Sequence, residues 1–193
     1  MQRIALIVSL ALASLFPVAH AASAGKNATS SSDIEHRLLL YNTHTGERLE
    51  IVYRRGSSYV PAAIAKLDYF LRDHWTGQVR HLDPRLYDIL EALTQQVGRP
   101  DSEIDIVCGY RTAASNAALR ERTAGVARNS LHIQAEAIDL RMPGVSTEKL
   151  REAALALHRG GVGYYPHSDF IHVDTGRVRQ WCFDCTPEQM QGD

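Results

Sequence analysis

Helix-like and strand-like patterns are segregated along this chain, and that ordering constrains its fold more than any other feature. Pro61 opens a helix with Ile64, Leu67, Phe70 and Leu71 on one face. Asp83-Pro84 opens a second, whose stripe is Leu86, Ile89, Leu90, Leu93 and Val97 and whose end is Gly98. A short helix is expected through 115–123. A third clear helix is expected over 147–158, with Leu150, Ala154, Leu157 and His158 close to one face and Gly160-Gly161 closing it. Strand patterns occupy 36–41 and 49–53, a hairpin turned by the Asn42–Gly46 cluster, then 103–108, and finally 161–165 and 170–173 around Pro166. Helices clustered early and strands clustered late predict an α+β domain rather than a wound βαβ sheet.

Composition removes whole classes of function. The chain has 193 residues, 45% hydrophobic and 22% charged, which excludes a disordered or collagen-like polymer and suggests one domain. With 21 Lys+Arg against 22 Asp+Glu, there is no basic excess to neutralise phosphates, so nucleic acid is not an expected partner. Residues 1–21 read as a signal peptide: Arg3 is the positive start, Ile4 to Phe16 is apolar apart from Ser9 and Ser14, and Ala19-His20-Ala21 fits a small-x-small cleavage site. That run is shorter than the roughly 20 apolar residues a bilayer span needs, and no later segment supplies one. An exported, periplasmic protein without a membrane anchor is expected, with a flexible leader over 22–34, a domain over 35–182 and a tail over 183–193.

Three cysteines remain in a compartment that permits disulfides. Cys182-Phe-Asp-Cys185 has C-x-x-C spacing but no strand-to-helix context to lower a thiol pKa, so a local disulfide or two idle thiols is the expected state. Cys108 closes an apolar run and reads as a buried small hydrophobe.

Most of the nine histidines stand alone. Two have company. His132 lies in Ser130-Leu-His-Ile-Gln-Ala-Glu-Ala-Ile-Asp139, and His172 in Asp169-Phe-Ile-His-Val-Asp174. Two imidazoles and a carboxylate with one open position is the donor set of a catalytic zinc centre. In a straight strand His132 and Asp139 would sit about 23 Å apart at about 3.3 Å per residue, so 133–137 must fold back for both to reach one metal. His172 and Asp174 share one face of a strand, and Asp174 suits an outer partner that accepts the free N–H of a ligating imidazole. Asp169 would point the other way in a regular strand, but the turn at Pro166-His167-Ser168 allows it to curl over the metal as a general base.

Taken with Gly109-Tyr-Arg-Thr112 and Gly160-Gly-Val-Gly-Tyr-Tyr-Pro166, these segments resemble the zinc peptidases grouped with D-Ala-D-Ala peptidases, lysostaphin and Hedgehog, and more narrowly the murein endopeptidase K-like enzymes. The likeness covers roughly 36–181. It implies a Hedgehog/D-Ala-D-Ala-peptidase-like domain in which a small antiparallel sheet carries the site and helices pack around it. One Zn²⁺ is implied, held by His132, Asp139 and His172, with Asp169 as base and Arg111 stabilising the oxyanion. Asn116 falls where relatives often carry a Gln that helps bind substrate. The implied substrate is a peptide cross-link of peptidoglycan, D-Ala–diaminopimelate or diaminopimelate–diaminopimelate; a monomer is expected, although the sequence itself does not speak to oligomeric state. A D-Ala-D-Ala carboxypeptidase or dipeptidase, and a non-catalytic zinc-containing wall-binding module, are the alternatives. One departure stands out: Ala135 replaces the glycine of the usual H-x-x-G-x-A-x-D pattern, which strains the loop if that position needs a positive φ.

Overall fold

A computed structural model describes residues 34–183, 185 and 186; the signal segment, nearly all of the leader and most of the tail lie outside the described residues. Strands β1 (Glu35–Asn42), β2 (Arg48–Arg55), β3 (Ser58–Tyr59), β4 (Glu103–Cys108), β5 (Ala137–Arg141), β6 (Gly161–Tyr165), β7 (Phe170–Asp174) and β8 (Arg179–Cys182) form one sheet in the order β3-β2-β1-β4-β5-β7-β6-β8. Helices α1 (Pro61–Phe70), α2 (Arg85–Gln96), α3 (Ala113–Arg122), α4 (Leu131–Gln134) and α5 (Thr147–Ala156) complete an α+β domain, as expected. The sheet is larger than the sequence suggests, and it is mixed: β1 runs parallel to β4 and β6 parallel to β8. The long excursion through α1 and α2 makes the first of these possible, because parallel neighbours need a crossover.

Strand alternation separates a packing face from a polar one. Ile138 and Leu140, Ile171 and Val173, and Val162 and Tyr164 are buried in the core together with the α2 stripe Leu86, Ile89, Leu90, Leu93 and Val97. Full burial of each such side chain stabilises by about 1.5–3 kcal/mol. The α5 helix stops at Ala156, two residues short of expectation, and His158 is exposed in the left-handed region at φ 51°. The intervening positions Asp139, Phe170, His172, Gly163 and Tyr165 point to the opposite face.

Candidate active site

The site is a row cut across the sheet. Cys108 pairs with Asp139, Asp139 with His172, His172 with Gly163, and Gly163 with Trp181, so five strands each place one residue on a common line. Directly opposed residues share a face, with Cβ atoms about 5 Å apart. Cys108 joins this row only because the register shifts between Ile106 and Cys108; the bulge turns it out of the core side. The expectation of a buried apolar cysteine is thereby corrected: Cys108 is partly exposed and lines the cavity over the row.

His132 reaches the row from outside the sheet, and the predicted fold-back is what brings it there. Ser130 caps the single turn of α4 by accepting from the His132 N–H, and Ala135 then takes φ 62°, ψ 36°. The chain reverses at that residue and enters β5. An alanine there costs roughly 1–2 kcal/mol relative to ordinary backbone. The surroundings hold it: its methyl is fully buried, and its carbonyl accepts from the Asp83 N–H at 3.0 Å.

Around Asp139 the donor atoms form a tight triangle. His132 Nε2 is 3.2 Å from Asp139 Oδ1 and 3.2 Å from His172 Nδ1, and His172 Nδ1 is 2.8 Å from Asp139 Oδ1. Tetrahedral zinc with bonds near 2.0 Å needs ligand atoms about 3.3 Å apart, so this triangle fits the ion. Both outer nitrogens are occupied. His132 Nδ1 donates to the Gly109 carbonyl at 2.7 Å, and His172 Nε2 donates to Asp174 Oδ2 at 3.1 Å. Those bonds place both inner lone pairs on the triangle, the arrangement in which outer partners orient ligating imidazoles. Asp174 is itself fully buried and pinned by the N–H groups of Gly161 and Gly176 and by Arg179 at 2.6 Å.

The charges agree with a cation socket. Burial pushes the His132 imidazole down, but the Asp139 carboxylate beside it outweighs burial and favours positive charge there. Burial works against Asp139 as well, yet His132 and His172 hold its carboxyl far below the usual carboxylate range. Asp174 is likewise pushed up by burial and held well below that range by His172 and Arg179.

The Gly109-Tyr-Arg-Thr112 segment explains itself in this setting. Gly109 has no room for a side chain, since a Cβ would lie 2.6 Å from the Leu71 carbonyl oxygen, and its own carbonyl holds His132. Thr112 caps α3 by accepting from Ser115, and its N–H donates to buried Asp73 at 2.8 Å. Arg111 is thereby held over the row at 8% exposure, with Nη2 3.9 Å from Asp139 Oδ2 and 3.5 Å from Cys108 Sγ. Its Nε is buried without a hydrogen-bond partner among the described residues.

Two expected site residues are placed elsewhere. Asn116 is buried behind Arg111, accepting from its Nη1 at 3.3 Å and donating to the Ala127 carbonyl, and it does not line the cavity. Asp169 does not curl over the triangle. It stands just before β7 in the left-handed region at φ 52°, is exposed, and accepts a hydrogen bond from Thr147 at the start of α5. Cys108 is the member sequence reasoning missed: its sulfur and the donor atoms of His132 and Asp139 lie within 4.8 Å of one another. Only its place just before Gly109 hinted at this. Cys182, the last residue of β8, and Cys185 form a local disulfide.

An α+β domain with two imidazoles and a carboxylate converging under a buried arginine defines a metallopeptidase of the D-Ala-D-Ala-peptidase type. Residues 30–181 match the family described as peptidoglycan L,D-endopeptidase MepK, and the chain belongs to that family. A probable peptidoglycan L,D-endopeptidase MepK from Haemophilus influenzae is 46% identical over 146 residues, covering 75% of this chain and 78% of its relative. The peptidoglycan L,D-endopeptidase MepK of Escherichia coli K12 is 38% identical over 154 residues, covering 80% and 84%.

Proposed function

We propose that this protein is a periplasmic zinc peptidase that hydrolyses peptide cross-links in peptidoglycan. The observation that carries the reading is the triangle of His132 Nε2, Asp139 Oδ1 and His172 Nδ1, with both outer imidazole nitrogens already committed to Gly109 and Asp174. When bound there, Zn²⁺ supplies a Lewis acid for the scissile carbonyl and lowers the pKa of water. The chain's own residues do the remainder. Asp174 and the Gly109 carbonyl hold the imidazoles in the tautomers that point their lone pairs inward. Arg111 lines a cavity of about 420 Å³, where a carbonyl oxygen gaining negative charge finds a fixed positive partner. Apolar side chains of Leu119, Val126, Phe170 and Phe183 line that cavity and limit water around the bond.

The relatives are named L,D-endopeptidases. That stereochemistry belongs to the diaminopimelate–diaminopimelate link rather than the D,D bond of the D-Ala–diaminopimelate link. Purified protein incubated with muropeptide dimers of both kinds, followed by mass spectrometry, should convert the diaminopimelate–diaminopimelate dimer to monomers. Release of D-Ala alone would indicate a carboxypeptidase, and binding without hydrolysis of any muropeptide would favour a wall-binding module.

Asp169 offers a second test. With its carboxylate engaged by Thr147 at the start of α5, Asp169→Asn should leave zinc content unchanged and turnover within about threefold of wild type. Loss of a general base costs about 10²-fold or more. A fall of that size with zinc retained would return the base to Asp169.

A further inference from the structure

Tyr165 closes β6 at the wall of the same cavity, and nothing above assigns it a task. It pairs with Phe170, two residues before His172 on the same face, so its ring stands beside the metal row rather than under it. The ring is held on two sides, stacked on Phe170 at 4.4 Å and 15° and tilted against Phe183 at 5.9 Å. Its hydroxyl oxygen accepts from Trp181 Nε1 at 3.1 Å. Trp181 is fixed in turn by His172, whose ring lies 5.1 Å away, and by the Arg179 guanidinium 4.9 Å over its ring. The indole sits where it does because residue 163 is glycine; a Cβ there would lie 2.6 Å from Trp181.

This arrangement fixes how the phenol hydrogen-bonds. A tyrosine hydroxyl has one proton to give and lone pairs to receive. Trp181 has only a donor, so the bond between them must run from indole to oxygen. The proton of Tyr165 finds no acceptor among the described residues and is left to the cavity. A phenol polarised by a donor on its oxygen is a stronger donor itself.

We propose that Tyr165 is a catalytic residue, its hydroxyl donating a hydrogen bond to the scissile carbonyl oxygen as that oxygen becomes negative, alongside Arg111. This rests on the peptidase reading of the site. Burial pushes its phenol above the ordinary tyrosine range and outweighs the Trp181 hydrogen bond, which pulls the other way; the nearby Asp139 charge adds to the push while Arg111 opposes it. The hydroxyl therefore keeps its proton at neutral pH, as a neutral donor must.

Tyr165→Phe keeps the stacked ring and deletes only the hydroxyl. Measured on a cross-linked muropeptide dimer, kcat should fall by about tenfold or more with KM within about twofold, because the bond strengthens in the transition state. Zinc content and melting temperature should match wild type; a role confined to holding Trp181 would shift these and leave the kcat-to-KM split unaltered. Combined with Arg111→Ala, the losses should be less than multiplicative, as expected of two donors serving one oxygen. Wild-type kcat in Tyr165→Phe overturns the proposal while leaving the peptidase reading intact. A fully multiplicative double variant assigns the two side chains to different atoms and overturns the shared oxygen. If the wild type hydrolyses no dimer in the same assay, the peptidase reading fails and Tyr165 loses its role with it.

Discussion

His132→Ala and His172→Ala should each abolish stoichiometric zinc binding and, with it, hydrolysis. Loss of an outer partner of a metal ligand typically weakens binding by about 10–100-fold, and loss of the ligand itself removes more than that. In either variant two donors remain of the three that converge on one point, too few to hold the ion against water. Elemental analysis after dialysis should find close to one zinc per wild-type chain and little in either variant. Far-ultraviolet circular dichroism should show both still folded, since the core of β5, β7, α2 and α5 does not include either imidazole. Full zinc in both variants would falsify the ligand set. Cys108 makes an informative control, because its sulfur lies within reach of His132 and Asp139. If His172→Ala keeps its metal but His172→Ala/Cys108→Ser loses it, the thiol is the third ligand.

Arg111→Ala should lower turnover by about 10²–10³-fold, equivalent to about 2.7–4 kcal/mol of lost oxyanion stabilisation, with zinc content unchanged. The guanidinium is buried, fixed by Asn116 on one side, and only loosely engaged by Asp139 and Cys108 on the other. A charge so placed contributes most when a negative oxygen forms in front of it. KM should change little, since the interaction is made in the transition state and not in the ground state. Arg111→Lys should rescue poorly, because a point charge on a flexible stem does not reproduce the planar fork held by Asn116. Turnover near wild type in Arg111→Ala would remove the arginine from the chemistry and leave it a structural cation beside Asp139.

Much of this was legible in order along the chain. The α2 stripe, the hairpin of β1 and β2, the strands about Pro166 and the reversal between His132 and Asp139 all follow from local rules of periodicity and reach. The left-handed Ala135 was legible too, because its neighbours match a pattern with glycine at that place. Asp169 was not. Its spacing from His172 permits either face, and a Thr147 hydroxyl 22 residues away captures the carboxylate. The resemblance implies a substrate contact for Asn116, and α3 turns its side chain inward to Arg111 and the Ala127 carbonyl.

By itself, the sequence determined which elements form, which of their faces are apolar, and which residue types are present to hold a metal. Those properties depend on near neighbours, on side-chain volume and on backbone freedom. The tertiary structure alone decided the mixed eight-stranded order, the bulge that brings Cys108 to Asp139, and the line from Asp139 through His172 to Trp181. Strand register is a choice among long-range pairings that bury the same apolar residues, so only the folded sheet shows which polar side chains meet across it.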